Sequence, residues 1–211
     1  MPESARRVPI QVDDATIRTY DSRDEPSAAF DMGREISYFT ALIPTGGHIL
    51  DLGCGTAWAA AHLRQQGFRA VGLDLSFGRL SRALASAAAP VVMADQRWLP
   101  LATASLEGVW ASASLLHLSK PDMPAALAEV RRVLRPHGAL FVSLQAGDGE
   151  AWTTRGGGAR FFAYYRPAEL DCLLSDAGLR IVDGWENPAP PWDVAHPWLT
   201  RLAVAGGASR D

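Results

Sequence analysis

The chain has 211 residues, enough for one domain with a substantial core. Its formal net charge is -3 and its pI about 5.9, with no block of basic residues, which argues against a nucleic-acid partner held mainly through phosphates. No stretch reaches the roughly 18 apolar residues of a membrane span. The first residues, Met1 to Arg7, lack the apolar centre of a signal peptide. Cys54 and Cys172 have no metal-ligand spacing and make no disulfide framework, so a cytoplasmic, reduced protein is expected, with no metal.

In chain order, residues 1–29 are polar and charged and read as a flexible or helical lead-in, with a short helix around Ala15 to Tyr20. Phe30, Ile36, Phe39, Leu42 and Ile43 fall near helical spacing and predict a helix over Phe30 to Leu42, ended by Pro44-Thr45-Gly46-Gly47. A first strand is expected at His48 to Leu52, then a helix from about Ala57 to Gln66, stopped by Gly67. Arg69 to Asp74 reads as a second strand. Ser76 is placed to cap a helix running to about Ala88, which Pro90 breaks.

The third and fourth strands are expected at Val91 to Ala94, ending at Asp95, and at Leu106 to Ala111. Lys120-Pro121-Asp122-Met123-Pro124 opens a helix whose apolar face is Leu127, Val130, Val133 and Leu134. Pro136-His137-Gly138 stops it before a fifth strand, Ala139 to Leu144. Strands alternating with helices, each strand a short apolar run, indicate an α/β fold with a parallel sheet covered on both faces. Ligands bind such folds at the carboxyl edge of the strands.

Beyond Leu144 the pattern becomes irregular. Gly147-Asp148-Gly149 and Thr153 to Gly158 read as a flexible insertion before Phe161-Phe162-Ala163-Tyr164-Tyr165. A helix from Arg166-Pro167 to Gly178 follows, then a strand over Leu179 to Trp185, a Pro-rich loop over 187–192, and Trp198 to Val204 as its antiparallel partner. Residues 206–211 read as a disordered tail.

The most informative stretch is Asp51-Leu52-Gly53-Cys54-Gly55-Thr56-Ala57. A strand ends in an acid, turns through two glycines and enters an alanine-rich helix. Glycine suits a turn with unusual dihedrals or a backbone that approaches a ligand closely. The pattern is G-x-G-x-A rather than the dinucleotide fingerprint G-x-G-x-x-G. Without a ligand it would be only a tight strand-to-helix turn. Two more acids, Asp74 and Asp95, end the next two strands.

This order of acid, G-x-G and strand-end acids resembles the class I S-adenosylmethionine-dependent methyltransferases, over roughly residues 30 to 185. The resemblance implies a Rossmann-like seven-stranded, mostly parallel sheet with helices on both faces and an antiparallel last strand, in a domain over 30–205. It implies S-adenosylmethionine as cofactor. Gly53, Cys54 and Gly55 would meet its methionine portion, and Asp51 its ammonium group. Asp74 would take both ribose hydroxyls, as a two-oxygen acceptor can. Leu75 would cover one adenine face, Asp95 would take the exocyclic amine, and Gln96 would offer a backbone donor. Ala57 stands where the family often has glycine.

Ser112 to Leu118 would face the sulfonium and the acceptor. His117 there has the residue type of a general base, or simply lines the pocket. Tyr20 would close over the cofactor. Arg34 is either a partner for the cofactor carboxylate or part of a solvated helix face. Of Trp152, Phe161, Phe162, Tyr164, Tyr165, Trp185 and Trp192 some belong to the core, and the others would suit a pocket for a flat, apolar or cationic acceptor. The expected activity is methyl transfer to a small-molecule acceptor, aromatic or not, in specialised metabolism. The alternatives are a housekeeping quinone-precursor methylase, an inactive cofactor-binding regulator, and a nicotinamide-dependent enzyme, against which the turn and Asp95 argue. Oligomeric state is not specified by the sequence.

Overall fold

The computed structural model describes residues 32–86, 89–154, 159–188 and 196–207. Tyr20, Trp192 and the lead-in over 1–29 lie outside the described residues. Helix α1 is Met32–Thr40, followed by β1, His48–Leu52, and α2, Trp58–Gln65. Strand β2, Arg69–Asp74, leads to α3, Phe77–Ala85, and β3, Val91–Met93, to β4, Leu106–Ser112. Two 3-10 turns, Leu115–His117 and Lys120–Asp122, precede α4, Met123–Val133. Then come β5, Leu134–Gln145; β6, Glu150–Thr153; β7, Arg160–Ala163; α5, Pro167–Asp176; β8, Leu179–Asn187; and β9, Trp198–Ala205.

Seven strands form one sheet in the order β3-β2-β1-β4-β5-β9-β8. The pairs from β3 to β5 are parallel, and β9 runs antiparallel to both neighbours. This is the expected Rossmann-like sheet with an antiparallel last strand. Alternation along each strand sends successive side chains to opposite faces. Ile49, Trp110, Phe141 and Leu202 face α1 and α2, whereas Leu50, Val109, Leu140 and Val142 face α4 and α5.

The first face is built on aromatics. Trp110 and Phe141 stack with centroids 3.8 Å apart and planes 12° from parallel, and Phe39 of α1 tilts onto Trp110 at 5.5 Å. Gly108 makes room for this helix. A Cβ there would lie 2.4 Å from Ile43 Cδ1 and 2.8 Å from Phe39 Cζ.

Several boundaries differ from the sequence reading. Strand β5 begins at Leu134, not Ala139: Leu134 pairs with Leu106, and Pro136-His137-Gly138 forms an irregularity inside the strand pairing, with His137 at φ 66°. Burial of Leu134 beside Leu106 outweighs the local stop signal. Lys120-Pro121-Asp122 is a 3-10 turn before α4 rather than its first turn. Helix α3 ends at Ala85, with Ser76 Oγ capping Arg79 N at 3.4 Å.

Within the region expected as a flexible insertion, β6 pairs antiparallel with β7; residues 155–158 lie outside the described residues. The strands of this β6–β7 hairpin are held by the cross-strand pair Trp152–Phe161, centroids 5.6 Å apart, a contact that sequence periodicity does not reveal. At the other end, Gly206 N donates to Gly178 O at 3.1 Å and Arg131 Nη2 donates to Gly206 O at 2.9 Å, so backbone pairing continues into the expected tail.

Gly108→Ala is expected to destabilise the fold by about 1–3 kcal/mol, the range for overpacking a filled core. Urea unfolding at unchanged slope measures it. Thr200→Val should do the reverse. Thr200 and its cross-strand partner Ser143 are buried with no hydrogen-bond partner for either hydroxyl. Replacing the hydroxyl by a methyl of the same shape removes an unmet desolvation cost, worth about 1 kcal/mol; a fall in the urea midpoint would contradict this.

Candidate active site

The turn after β1 is stitched to β2. Gly53 N and Cys54 N both donate to Leu73 O, at 2.7 and 2.9 Å. Gly53 has φ 73° and Gly55 φ 56°, backbone that a side chain would strain. A Cβ on Gly53 would also lie 2.2 Å from Ser114 Cβ, so the loop after β4 rests on bare backbone. Ala57 is left-handed too, at φ 62°, immediately before α2. That conformation costs an alanine on the order of 1 kcal/mol and explains why glycine would suit the position.

Three acids end neighbouring strands. Asp51 is buried, and its Oδ2 accepts from Ala60 N of α2 at 2.9 Å. Burial pushes its carboxyl up to about 7; the Ala60 N–H opposes this, and the charge of Asp74 adds to it. Asp74 accepts from Gly55 N at 2.9 Å and from Ser76 N at 2.8 Å, one bond on each oxygen. It therefore ties the glycine turn to the start of α3. Asp95, just past β3, is gripped by Arg97 through Nε at 3.0 Å and Nη2 at 2.7 Å.

Beside these acids, Leu75 is exposed, and Gln96 and Ser112 are half-buried, Ser112 at the last position of β4. The Cys54 thiol is pushed above its usual range by burial and by the charges of Asp51 and Asp74, which keeps it a thiol.

His117 lies in the turn after β4, against the hairpin. Its Nδ1 is 2.8 Å from Phe161 O, and Arg160 Nη2 is 3.3 Å from its Nε2. A carbonyl only accepts and a guanidinium only donates, so Nδ1 carries the proton and Nε2 accepts. Burial, then the Arg160 charge, lower its pKa to about 3 despite the Phe161 carbonyl. The ring meets Phe162 edge-on at 4.9 Å. His117 is thus a neutral fastener between the β4 loop and β7.

The hairpin and its exit gather Trp152, Phe161, Phe162, Tyr164 and Tyr165. Tyr164 stacks on His196 at 4.0 Å, and Lys120 Nζ lies 4.9 Å from the centre of the Tyr165 ring. Trp185 stands apart, on β8 against α1, where its Nε1 donates to buried Glu35 at 3.1 Å. Arg34 Nε donates to Tyr38 OH at 3.0 Å on the exposed side of α1.

Sequence reasoning placed Ser114 only within the segment Ser112 to Leu118, without its contact on Gly53, and missed Arg97 and Arg160. Arg97 had a signal, two residues after a strand-end acid. Arg160 had none, because it acquires its neighbour only by folding. Among the described residues no cluster of His, Cys, Asp or Glu has the arrangement of a metal site, and no helix is long and apolar enough to cross a membrane.

A bare glycine turn, with an acid at or beside the end of each of three adjacent strands of a Rossmann-like sheet, is the arrangement expected of the methyltransferase class of α/β protein. Residues 50–142 match the family described as "Methyltransferase domain". The chain is 35% identical over 178 residues to a malonyl-[acyl-carrier protein] O-methyltransferase of Dechloromonas aromatica, covering 77% of this chain and 63% of that protein. It is 30% identical over 152 residues to the O-methyltransferase resE of Aspergillus sclerotiorum, covering 65% of this chain and 56% of that one. It thus spans less than two thirds of the length of either curated relative.

The fold superposes with a TM-score of 0.73, at 24% identity, on 1,6-didemethyltoxoflavin-N1-methyltransferase of Burkholderia thailandensis, covering 89% of this chain and 84% of that one; that structure contains 1,6-didemethyltoxoflavin and S-adenosylhomocysteine. Over residues 50–142 in sequence, and in its fold, the chain is similar to the class I S-adenosylmethionine-dependent methyltransferases.

The raised pKa of Asp51 has two measurable consequences. Its folded-state value lies above the ordinary 3.8. The stability this group contributes is therefore full below about pH 4 and is lost as pH rises through about 7. Asp51→Asn should flatten that fall in a stability–pH profile. A cationic ammonium beside Asp51 favours the ionised form. Affinity for S-adenosylhomocysteine should therefore rise between about pH 6 and 8 in the wild type and stay flat in Asp51→Asn, as read by calorimetry.

Proposed function

We propose that this chain transfers a methyl group from S-adenosylmethionine to a small-molecule acceptor. The observation that carries this is the set of Asp51, Asp74 and Asp95 at three adjacent strand ends, around a turn whose glycines leave backbone bare. The residues fit the group. Asp51 would accept from its ammonium, with Gly53, Cys54 and Gly55 along the methionine portion. Asp74 would receive the ribose hydroxyls on its remaining lone pairs, and Leu75, Asp95 and Gln96 would frame the adenine. Ser112 would face the transfer region.

The cofactor supplies a methyl already activated on sulfur. The protein's part is alignment and exclusion of water, and alignment alone can be worth on the order of 7–11 kcal/mol. A strong base is not required. His117, neutral and with both ring nitrogens engaged, suits pocket shaping better than proton removal.

For the acceptor, the aromatics of the hairpin favour a flat molecule, as in specialised metabolism, the toxoflavin-type acceptor of the structural neighbour being one such shape. A second reading, a carboxylate acceptor like that named for the malonyl-carrier relatives, is favoured by Arg160 beside His117, since guanidinium matches carboxylate. Either reading fits a cytoplasmic enzyme.

The test is transfer of isotope-labelled methyl from S-adenosylmethionine to the small-molecule fraction of an extract. Labelled product is expected; S-adenosylhomocysteine binding with no labelled product would mark a cofactor-binding regulator instead. With the acceptor in hand, His117→Gln should lower turnover by less than about tenfold and leave its pH profile unchanged. A loss of roughly 10²-fold or more, with a neutral-range ionisation abolished, would make His117 a general base.

A further inference from the structure

Asp95 differs from the other two strand-end acids in what holds it. Asp51 and Asp74 accept hydrogen bonds from backbone N–H groups. Asp95 is gripped by a side chain. Arg97 Nε lies 3.0 Å from Oδ1 and Nη2 2.7 Å from Oδ2, a two-pronged pair, and Arg97 N adds a third bond to Oδ1 at 2.9 Å. The guanidinium is itself fixed. Nη1 reaches Asp122 Oδ2 at 3.2 Å, which also receives Ser119 Oγ–H at 2.9 Å, and the Trp98 ring lies 4.9 Å away. The Arg97 side chain is only 11% exposed.

This geometry governs what the carboxyl can offer a base. An ionised carboxylate only accepts, but one free to rotate aims its lone pairs in no fixed direction. One forked by a guanidinium is fixed in plane and only accepts. An acceptor at this corner matches a purine bearing an amino group at position 6, and leaves the 6-carbonyl of a hypoxanthine facing another acceptor.

We propose that Arg97 is a specificity-determining positioning residue, holding Asp95 as an acceptor in one plane so that the site takes a 6-amino purine and rejects a 6-oxo purine. This rests on the cofactor placement given under Proposed function. The rival role for Arg97 is structural, anchoring the 95–98 loop to the start of α4 through Asp122.

The experiment is calorimetry of the full chain with S-adenosylhomocysteine and S-inosylhomocysteine. Wild-type protein should prefer the adenine compound. Arg97→Met should lower that preference about tenfold or more, the scale of one hydrogen bond to a charged group. Arg97→Lys, which keeps charge but not the fork, should also lower it, and carries the test if the methionine variant does not fold. Asp122→Ala removes the loop anchor but leaves the fork, and should keep the preference.

An unchanged preference in the Arg97 variants overturns the proposal, and so does an equal loss in Asp122→Ala. Wild-type protein that binds neither compound overturns the cofactor placement and this role with it. Binding of both by the wild type, with a preference that does not move, overturns the role of Arg97 alone.

Discussion

The site depends on one carboxylate that spans two connections. Asp74 takes the N–H of Gly55 on one oxygen and that of Ser76 on the other. It joins the turn leaving β1 to the helix leaving β2. Leu73, one residue earlier, holds the same turn by accepting from Gly53 and Cys54. The end of β2 is thus the template on which the glycine turn is bent. Buried backbone N–H groups need partners, and here two consecutive residues of one strand supply them. The same bonds that satisfy the turn fix the acid that would meet the ribose.

Electrostatics around this template follow from burial. Asp51 sits at the N-terminal end of α2 and would be a stabilised anion there, yet desolvation and nearby Asp74 push its carboxyl upward. A buried acid poised near neutrality is costly without a cation, which links the strain of the free protein to the charge of the ligand it would hold. His117 shows the converse. Its burial beside Arg160 keeps it neutral, and its two hydrogen bonds make it a bridge between the β4 loop and the hairpin. The same residue type that suggests a base in a sequence becomes a fastener when both nitrogens are engaged.

The two halves of the molecule differ in how far they could be read from residues. From His48 to Asp74 both strands are bounded as expected, because apolar runs end in glycine or acid and the helix between them is alanine-rich. The fifth strand is harder. Leu134 completes the apolar face expected of α4, yet in the fold it pairs with Leu106, and the Pro136-His137-Gly138 stop lies within the pairing. The hairpin is harder still. Glu150 to Thr153 is only four residues long, too short for a clear period of its own, and pairs as a strand against Arg160 to Ala163.

What the sequence by itself determined is the α/β alternation, the glycine turn and the three strand-end acids. Each is a local signal, set by dihedral preference, by period, or by where an apolar run stops. What only the tertiary structure decided is who touches whom: Ser114 on Gly53, Arg160 on His117, Trp185 on Glu35. These pairs join residues 43 to 150 positions apart, and no local preference encodes them. The first is a steric fit that a Cβ on Gly53 would block, and the other two arise because burial favours a partner for a polar group, the partner being whichever group the packed sheet and its covering segments bring within hydrogen-bond reach.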